Sequence, residues 1–424
     1  MQQTIAEKII AKAAGKERVR PGDIVTCVVD LAMIHDSGGP RRAKPILERL
    51  GVGVWDASKI VLVSDHYAPC VDAESAAILK LTREWAAEQG IMNFYDQHGI
   101  CHVVTPERGH LGPGMFAVGG DSHSPTGGAF GAYMFGIGAT DMAGVLATGE
   151  TWIKVPHTIR INWSGAFGAG VAAKDMALRM CAVLGMDGGD YQAIQYGGDT
   201  VAGLDMMERM TLSNMAAELG AQTGIIEPDE TTAAYVTAAG GDAGDWAAYL
   251  GDADADYRRV HEFSADDLEP QVAAPHSPAN AADVGDADKA DIDQFYIGAC
   301  TGAKLNDLKM AASVLKGNKV APGKRLTVAP ASARILADAA RDGTMEILLH
   351  AGANLLPTGC GACAGYGVGT LAEDEVCLAS TARNFQGRMG ANSSRVYLAS
   401  PYTVAASAVK GVITDPREML GDGS

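Results

Sequence analysis

The chain has 424 residues, 47% of them hydrophobic and 20% charged, which suits a globular protein with several domains. Acidic residues outnumber basic ones by 51 to 34, and the net charge of −17 argues against a surface for nucleic acid or anionic membranes. The eight cysteines are irregularly spaced, and the first twenty residues lack the apolar segment of a signal peptide. The longest uncharged stretch, 122–140, is broken by proline and glycines. We therefore expect a cytoplasmic protein without a membrane span or a nucleic-acid partner.

Short apolar strands, polar loops and helices alternate along the chain. The predicted elements are a helix within 1–20, strands at 60–63, 115–118, 157–162 and 295–297, and helices at 73–89, 141–154 and 304–315. This alternation predicts an α/β fold with mainly parallel sheets. Because ligands bind beyond the carboxyl ends of parallel strands, we expect the polar loops that follow these strands to converge on one site.

Two changes in composition predict domain boundaries. Val155-Pro156 separates the helix at 141–154 from a new strand, and the segment 265–291 is rich in Ala, Asp and Pro, as a linker or a surface excursion would be. We therefore predict three α/β domains, at 1–155, 156–285 and 286–424.

Three cysteines stand in two glycine-rich loops. Cys300 lies in Ile-Gly-Ala-Cys-Thr-Gly, and Cys360 and Cys363 lie in Gly-Cys-Gly-Ala-Cys-Ala-Gly. Three thiolates can hold three irons of a [4Fe–4S] cluster and leave the fourth iron free to bind a substrate. A redox pair or half of a zinc site is the alternative, although Cys377 is the only nearby candidate for a further zinc ligand. Four other cysteines stand in apolar segments and are predicted core residues: Cys27, Cys70, Cys101 and Cys181.

Aspartate and histidine stand together at two predicted strand ends, as Asp65-His66 and as Asp121-Ser122-His123. A carboxylate raises the proton affinity of a neighbouring imidazole and orients it, which general acid catalysis needs. His102 is a candidate to join them. For any single pair, a capping Asp beside a hydrogen-bonded His is the alternative.

Two arginines and an amide–carboxylate pair are further candidates. Arg383 and Arg388 lie five residues apart and could each bind a substrate carboxylate through two hydrogen bonds, or form ordinary surface ion pairs. Asn214 and Glu218 have the i, i+4 spacing of one helix face and could hold a metal-bound water, or simply face solvent.

Together these residues resemble the aconitase superfamily, and within it the large subunits of split, two-chain isopropylmalate dehydratases. The resemblance extends from about residue 5 to residue 401. Five motifs carry it: Asp-Leu-Ala-Met-Ile-His-Asp at 30–36, Gly-Asp-Ser-His-Ser-Pro-Thr-Gly-Gly at 120–128, Cys-Thr at 300–301, Gly-Cys-Gly-Ala-Cys at 359–363 and Arg-Asn-Phe-Gln-Gly-Arg at 383–388. The resemblance implies three α/β domains packed around a central [4Fe–4S] cluster.

It also implies a role for each matching position. The implied roles are cluster ligation by Cys300, Cys360 and Cys363; protonation of the departing hydroxide by Asp65 with His66; lining of the site by His102, Asp121 and His123; a place close to the open iron for Asn214 and Glu218; and substrate binding by Ser122, Arg383 and Arg388. Three positions depart from the family pattern: Ala299 and Gly302 flank Cys300-Thr301 where Ser and Asn are usual, and Ala382 replaces an Asn before Arg383. These changes hint at a different substrate or an altered iron environment.

The resemblance also implies a partner. Only one predicted helix and a short acidic tail follow Pro401, so we expect the family's swivelling domain, which carries the catalytic serine, to reside in a separate small subunit. The expected reaction is dehydration of a malate-type 2-hydroxy di- or tricarboxylate, or hydration of the matching cis-alkene. Isopropylmalate is the first candidate; maleate or citraconate, dimethylmalate and homoaconitate are the others. A cluster-free regulatory binding protein is an alternative of another class, whereas a Cys-x-x-Cys oxidoreductase leaves Cys300 and the arginines without a purpose.

Overall fold

The computed structural model describes residues 2–420. Its strands are β1 Ile24–Val28, β2 Leu31–His35, β3 Ile60–Ser64, β4 Phe94–Asp96, β5 Phe116–Gly119, β6 Tyr133–Gly136, β7 Glu150–Lys154, β8 Thr158–Ser164, β9 Ala193–Gly197, β10 Thr223–Ile226, β11 Arg259–Ser264, β12 Gln271–Ala273, β13 Ala281–Asp283, β14 Gln294–Ile297, β15 Arg325–Val328, β16 Asn354–Leu355, β17 Val376–Ala379 and β18 Arg395–Ala399.

The α-helices are α1 Ile5–Ala13, α2 Pro40–Leu50, α3 Ala73–Glu88, α4 Cys101–Glu107, α5 Ala139–Thr148, α6 Ala173–Leu184, α7 Asp199–Gly203, α8 Met206–Asn214, α9 Glu230–Ala238, α10 Leu305–Leu315, α11 Ala333–Arg341, α12 Thr344–Ala351 and α13 Pro401–Lys410. None of these helices is long and apolar enough to cross a lipid bilayer.

The first sheet has the strand order β4-β3-β2-β5-β6, and all its pairs are parallel. Every residue of β2 and β3 is buried, as expected for central strands covered on both faces.

The predicted helix at 141–154 is wrong in its second half. Helix α5 ends at Thr148, because Gly149 takes a left-handed conformation with φ of 75°, and β7 follows and pairs antiparallel with β1.

The second and third sheets contain the rest of the parallel strands. The second has the order β10-β9-β8-β11, and the third has the order β13-β12-β18-β17-β14-β15-β16. The predicted linker at 265–291 is wrong, because it contains β12 and β13, which add two short antiparallel strands to the third sheet. Strand β12 is fully buried, although the sequence on either side of it is rich in polar residues.

The third sheet lies between the other two. The side chains on its two faces belong to two different hydrophobic cores. Phe295 and Ile297 share one core with Val61 of the first sheet, whereas Tyr296 shares another core with Ile161 of the second sheet. This alternation follows from the opposite directions of successive side chains in a strand. The predicted α/β class with mainly parallel sheets is confirmed, and the domain limits at 155/156 and 285/286 stay predictions.

Candidate active site

The site is built from the loops at the carboxyl ends of parallel strands from two sheets. Asp36 follows β2, Asp65 follows β3 and Asp121 lies two residues after β5, all in the first sheet. Cys300 lies three residues after β14 of the third sheet, and the backbone N–H of Cys360 donates to the carbonyl oxygen of Asp65 at 2.9 Å. The two sheets therefore bring the carboxylate and cysteine loops into direct contact, as the strand-end pattern predicts.

Asp65 and His66 form a buried hydrogen-bonded pair. Asp65 Oδ1 accepts from His66 Nδ1 at 2.7 Å, and Asp65 Oδ2 accepts from the backbone N–H of Cys101 at 2.7 Å. Burial disfavours the charged imidazolium, but the carboxylates of Asp65, Asp121 and Asp36 outweigh it and raise the pKa of His66 to about 9. His66 is therefore protonated at neutral pH and available as an acid.

Two residues that the sequence analysis did not single out complete this pair. Asp36 Oδ1 accepts from the backbone N–H of His66 at 3.1 Å, and Asp36 Oδ2 accepts from that of Tyr67 at 2.9 Å. The His35 ring stacks on His66 with centroids 4.3 Å apart, and burial together with the His66 charge lowers the pKa of His35. The signal was available, because His35-Asp36 also stands at the end of a buried strand.

Asp121 joins three histidines. Its Oδ1 accepts from His102 Nε2 at 2.7 Å and from the backbone N–H of His123 at 2.8 Å, and its Oδ2 lies 4.0 Å from His66 Nε2. Burial opposes ionisation of this carboxyl, but hydrogen bonding to His102 and the nearby imidazoles hold the pKa of Asp121 well below its usual range. The second Asp–His motif and His102 thus lie next to the first, as predicted.

Glu218 links His123 to the arginine at the mouth of the site. Glu218 Oε1 accepts from Arg383 Nε at 2.8 Å and from His123 Nε2 at 3.1 Å, while Arg383 Nη1 donates to the exposed Ser122 Oγ at 2.8 Å. The second carboxylate oxygen of Glu218 is buried without a hydrogen-bond partner. Although burial opposes it, hydrogen bonding to His123 and the charge of Arg383 lower the pKa of Glu218.

Asn214 connects this carboxylate network to the first cysteine. Its Nδ2 donates to Thr126 Oγ1 at 2.7 Å and to Cys300 Sγ at 3.1 Å, and its Oδ1 is buried without a partner. The predicted single helix face is wrong in detail, because α8 ends at Asn214 and Glu218 lies in the 3-10 turn that follows. The tighter turn still directs both side chains into the site.

The three cysteines lie at the base of the same site. Cys300 and Cys363 are buried and Cys360 is half-buried, and all three are free thiols. Hydrogen bonding to Cys360, opposed by burial and supported by the charge of Arg388, lowers the pKa of Cys363 to about 6. Arg388 Nε donates to the carbonyl oxygen of Cys363 at 2.8 Å, which fixes this arginine against the second cysteine loop.

The cysteine arrangement does not match a preformed site for a single zinc ion. With Zn–S bonds of about 2.3 Å, the sulfurs of a tetrahedral site lie less than about 4 Å apart. Among residues 2–420, no set of three metal-binding side chains that includes a cysteine has its ligand atoms within 4.8 Å of one another. Two Asp–His groups do meet this limit, but their imidazoles already have partners: His66 pairs with Asp65, His102 with Asp121 and His123 with Glu218, and His35 bonds the carbonyl oxygen of Gly120. Of the four predicted core cysteines, Cys70 is exposed and the prediction is wrong there.

Packing accounts for one of the three departures from the family pattern. A Cβ atom on Gly302 would lie 2.1 Å from Ser380 Oγ, so Ser380 occupies the space that a side chain at 302 would need. Ala299 holds a left-handed backbone with φ of 69°, which any residue with a Cβ adopts at a cost. Nothing in the structure explains Ala382.

The site opens into a cleft of about 390 Å³ lined by Asp121, Ser122 and Arg383 on one side and by Tyr191 and Gln222 on the other. His66 lines a separate depression of about 270 Å³ with Tyr67 and Tyr366. The Asp–His network therefore reaches both openings, through Asp121 in the first and His66 in the second.

A model of the aconitase family (aconitate hydratase) matches residues 7–411. This chain belongs to the aconitase family. It is 47% identical over 422 residues to the 3-isopropylmalate dehydratase large subunit 1 of Methanopyrus kandleri, covering 99% of this chain and all of that protein. It is 44% identical over 420 residues to the methanogen homoaconitase large subunit of Methanocaldococcus jannaschii, covering 97% of this chain and 99% of that one.

A solved structure, holo aconitase X of Thermococcus kodakaraensis, resembles this aconitase-family chain in fold. The TM-score is 0.51 and the sequence identity is 13%, with 93% of this chain and 97% of that chain covered. At this identity the likeness concerns the fold alone.

Proposed function

We propose that this chain is the large subunit of a hydro-lyase that dehydrates a malate-type 2-hydroxy acid, with 3-isopropylmalate as the first candidate. The observation that carries the proposal is the buried Asp65–His66 pair, in a network that also contains Arg383 and Asn214, the latter bonded to Cys300. An acid for the leaving hydroxyl, a guanidinium for a substrate carboxylate and thiols that can ligate iron are groups that a cluster-dependent elimination uses. Relatives named as dehydratase and homoaconitase large subunits support this reading.

The residues present fit a [4Fe–4S] cluster, which Cys300, Cys360 and Cys363 would hold. The thiols are free and lie in one site, and two buried polar atoms beside them, Asn214 Oδ1 and Glu218 Oε2, lack partners. Buried polar atoms without partners are costly, which makes them candidates to bind a group at this site. When bound, such a cluster supplies a Lewis-acidic iron that polarises a substrate hydroxyl.

The chain's own residues would bind the substrate and move one proton. Arg383, which bonds Ser122 at the mouth, and Arg388 are placed to take substrate carboxylates as charge-assisted hydrogen-bond donors. His66 would release the proton on Nε2 to the departing hydroxyl oxygen, while Asp65 keeps Nδ1 protonated and orients the ring. Asp121 would hold His102 and stabilise the imidazolium of His66 from its other side.

The reaction also needs a base that removes the carbon-bound proton. We propose that a small subunit supplies it and closes the mouth at Ser122 and Arg383, because the named relatives are large subunits of two-part enzymes. We also propose a cytoplasmic location, because the thiols that would ligate the cluster must stay reduced.

The named relatives also support homoaconitase as a second candidate, because the chain is almost as similar to a homoaconitase large subunit as to a dehydratase large subunit. Hydration of maleate or citraconate and dehydration of dimethylmalate use the same groups of this chain. The cluster-free regulatory protein is disfavoured, since it would leave the protonated His66 and the Arg383–Glu218 pair without a role.

The test is an anaerobic assay of the chain co-expressed with the small subunit from the same genome. Loss of ultraviolet absorbance by isopropylmaleate, maleate, citraconate, dimethylmaleate and homoaconitate would be measured, with His66→Gln as the inactive variant and exposed Lys309→Met as the matched surface control. The proposal expects hydration of one acid, abolished by His66→Gln and unchanged by Lys309→Met. Activity that persists in His66→Gln, or no activity in an iron-loaded complex, would contradict it.

A further inference from the structure

Lys174 is a buried lysine behind the cysteine site that has no part in the chemistry described above. It lies near the start of α6, and its side chain is 2% exposed. Its Nζ donates to the carbonyl oxygens of Thr381 at 2.5 Å and Ser380 at 3.3 Å, and to Thr301 Oγ1 at 3.5 Å. The ammonium therefore connects the loop of Cys300 to the loop that leads to Arg383.

The environment of this ammonium differs from that of two other fully buried cations. Lys304 pairs with Asp307 at 2.6 Å, and Arg209 pairs with Asp229 at 2.6 Å. Within residues 2–420, Lys174 forms no ion pair with a carboxylate, and its hydrogen-bond acceptors are neutral oxygens. Burial lowers the pKa of Lys174 to about 8, and negative charge in its surroundings opposes that shift and stabilises the ammonium.

Few nearby groups can supply this negative charge. Lys174 interacts electrostatically with Glu218, with the thiols of Cys300 and Cys363, and with the carboxyl group of Asp175, while the charge of Lys304 opposes its own. Glu218 is already neutralised by Arg383 and hydrogen-bonded to His123. Asp175 accepts from the backbone N–H groups of Ala172 and Gln271, and burial raises its pKa to about 7, so it carries only part of a negative charge at neutral pH. The two sulfurs, once ionised, are the further source of negative charge.

We propose that Lys174 is the counter-ion of the cysteine site, a positioning residue whose charge compensates the ionised thiolates and the cluster they hold. The inference rests on the proposed function, since the thiolates are ionised when they ligate iron. A fixed positive charge near an iron–sulfur cluster favours its reduced form, which carries more negative charge, and therefore raises its reduction potential. The bonds to Thr301 and Ser380 hold the ammonium between the loop of Cys300 and the loop that leads to Arg383.

The test compares Lys174→Met, which keeps the length of the side chain but removes the charge, with wild type and with Lys309→Met. Lys309 is a half-exposed lysine whose removal changes the net charge equally at the surface. The isolated chain would be loaded with iron and sulfide without oxygen, and its reduction potential would be measured by a redox titration followed by electron paramagnetic resonance. Iron retention and thermal unfolding would be recorded on the same samples.

Lys174→Met is expected to lower the potential and to speed the loss of iron, whereas Lys309→Met should match wild type. If Lys174→Met does not fold, Lys174→Gln, which keeps a donor for the carbonyls without the charge, provides the same comparison. An unchanged potential and unchanged iron retention in the folded variant would overturn the inference while leaving the proposed function intact. A wild-type chain that takes up no iron would overturn both.

Discussion

Replacement of Asp65 by Asn gives the sharpest test of the proposed acid. In the native chain, Asp65 accepts from His66 Nδ1 at 2.7 Å and is the largest favourable influence on the imidazolium. The rise of the His66 pKa from 6.5 to about 9 corresponds to roughly 3 kcal/mol in favour of the charged ring. Without that carboxylate, only Asp121 and Asp36 oppose the effect of burial, and the pKa of His66 is expected to fall toward its ordinary value of 6.5.

The expected kinetic effect follows from the protonated fraction. At pH 8, a His66 with a pKa near 9 is about 90% protonated, whereas one with the ordinary pKa of 6.5 is about 3% protonated, so the acid form falls by up to roughly 30-fold. The alkaline limb of the dehydration rate should therefore move from about pH 9 toward pH 6.5. Because the folded-state pKa is raised, the pair stabilises the fold fully below about pH 6.5, and this contribution is lost as the pH rises through about 9.

The assay has two independent parts. The His66 pKa would be measured in the isolated chain by histidine side-chain NMR, assigned by comparison with His66→Gln, and the pH–rate profile in the complex. Asp56→Asn, which removes an exposed carboxylate that caps a short turn, is the control and should leave both unchanged. An unchanged His66 pKa in Asp65→Asn would refute the electrostatic reasoning, and a shifted pKa with an unshifted rate profile would remove His66 as the acid.

Three further substitutions have defined outcomes. Cys363→Ser should reduce bound iron to background while the thermal unfolding midpoint stays nearly constant; normal iron content would exclude Cys363 as a ligand. Arg388→Lys should raise KM about tenfold or more with a smaller change in kcat, because an ammonium cannot form the two parallel bonds of a guanidinium, and unaltered kinetics would remove Arg388 from the site. Gly302→Ala should cost about 1–3 kcal/mol in denaturant unfolding, since its Cβ would lie 2.1 Å from Ser380 Oγ and 2.6 Å from the carbonyl oxygen of Ser380. A Gly302→Ala chain as stable as wild type would show that the loop relaxes freely.

The position of the site could be predicted from the sequence because it follows from local patterns. Buried apolar runs such as β3 and β14 end in polar residues, and parallel strands place those ends at one edge. His35-Asp36 shows the same pattern, a buried strand that ends in polar residues. These two residues could therefore also have been predicted as part of the site. The sequence could not show that Asn214 bonds Cys300 Sγ, because that contact depends on how α8 packs between two sheets.

The errors have physical reasons. The segment 265–291 is polar, yet β12 is buried because it hydrogen-bonds through its backbone to β18, and backbone pairing does not require an apolar side chain. The sequence does not separate helix α5 from strand β7, because both are partly apolar. Gly149 is the residue that marks the end of the helix. Lys174 looks like an ordinary first-turn residue of α6, since its burial arises from residues more than one hundred positions away.

The central claim is that the three cysteines of this chain hold an iron–sulfur cluster that meets the substrate. The most direct measurement is the iron and sulfide content of the anaerobically purified chain, together with the electron paramagnetic resonance spectrum of its reduced complex with the small subunit before and after 3-isopropylmalate is added. The account predicts about four irons and four sulfides per chain, lost in each of Cys300→Ser, Cys360→Ser and Cys363→Ser. It also predicts a spectrum of the complex that changes when a substrate is added. Iron that persists in all three variants, or a wild-type chain without iron, would contradict it.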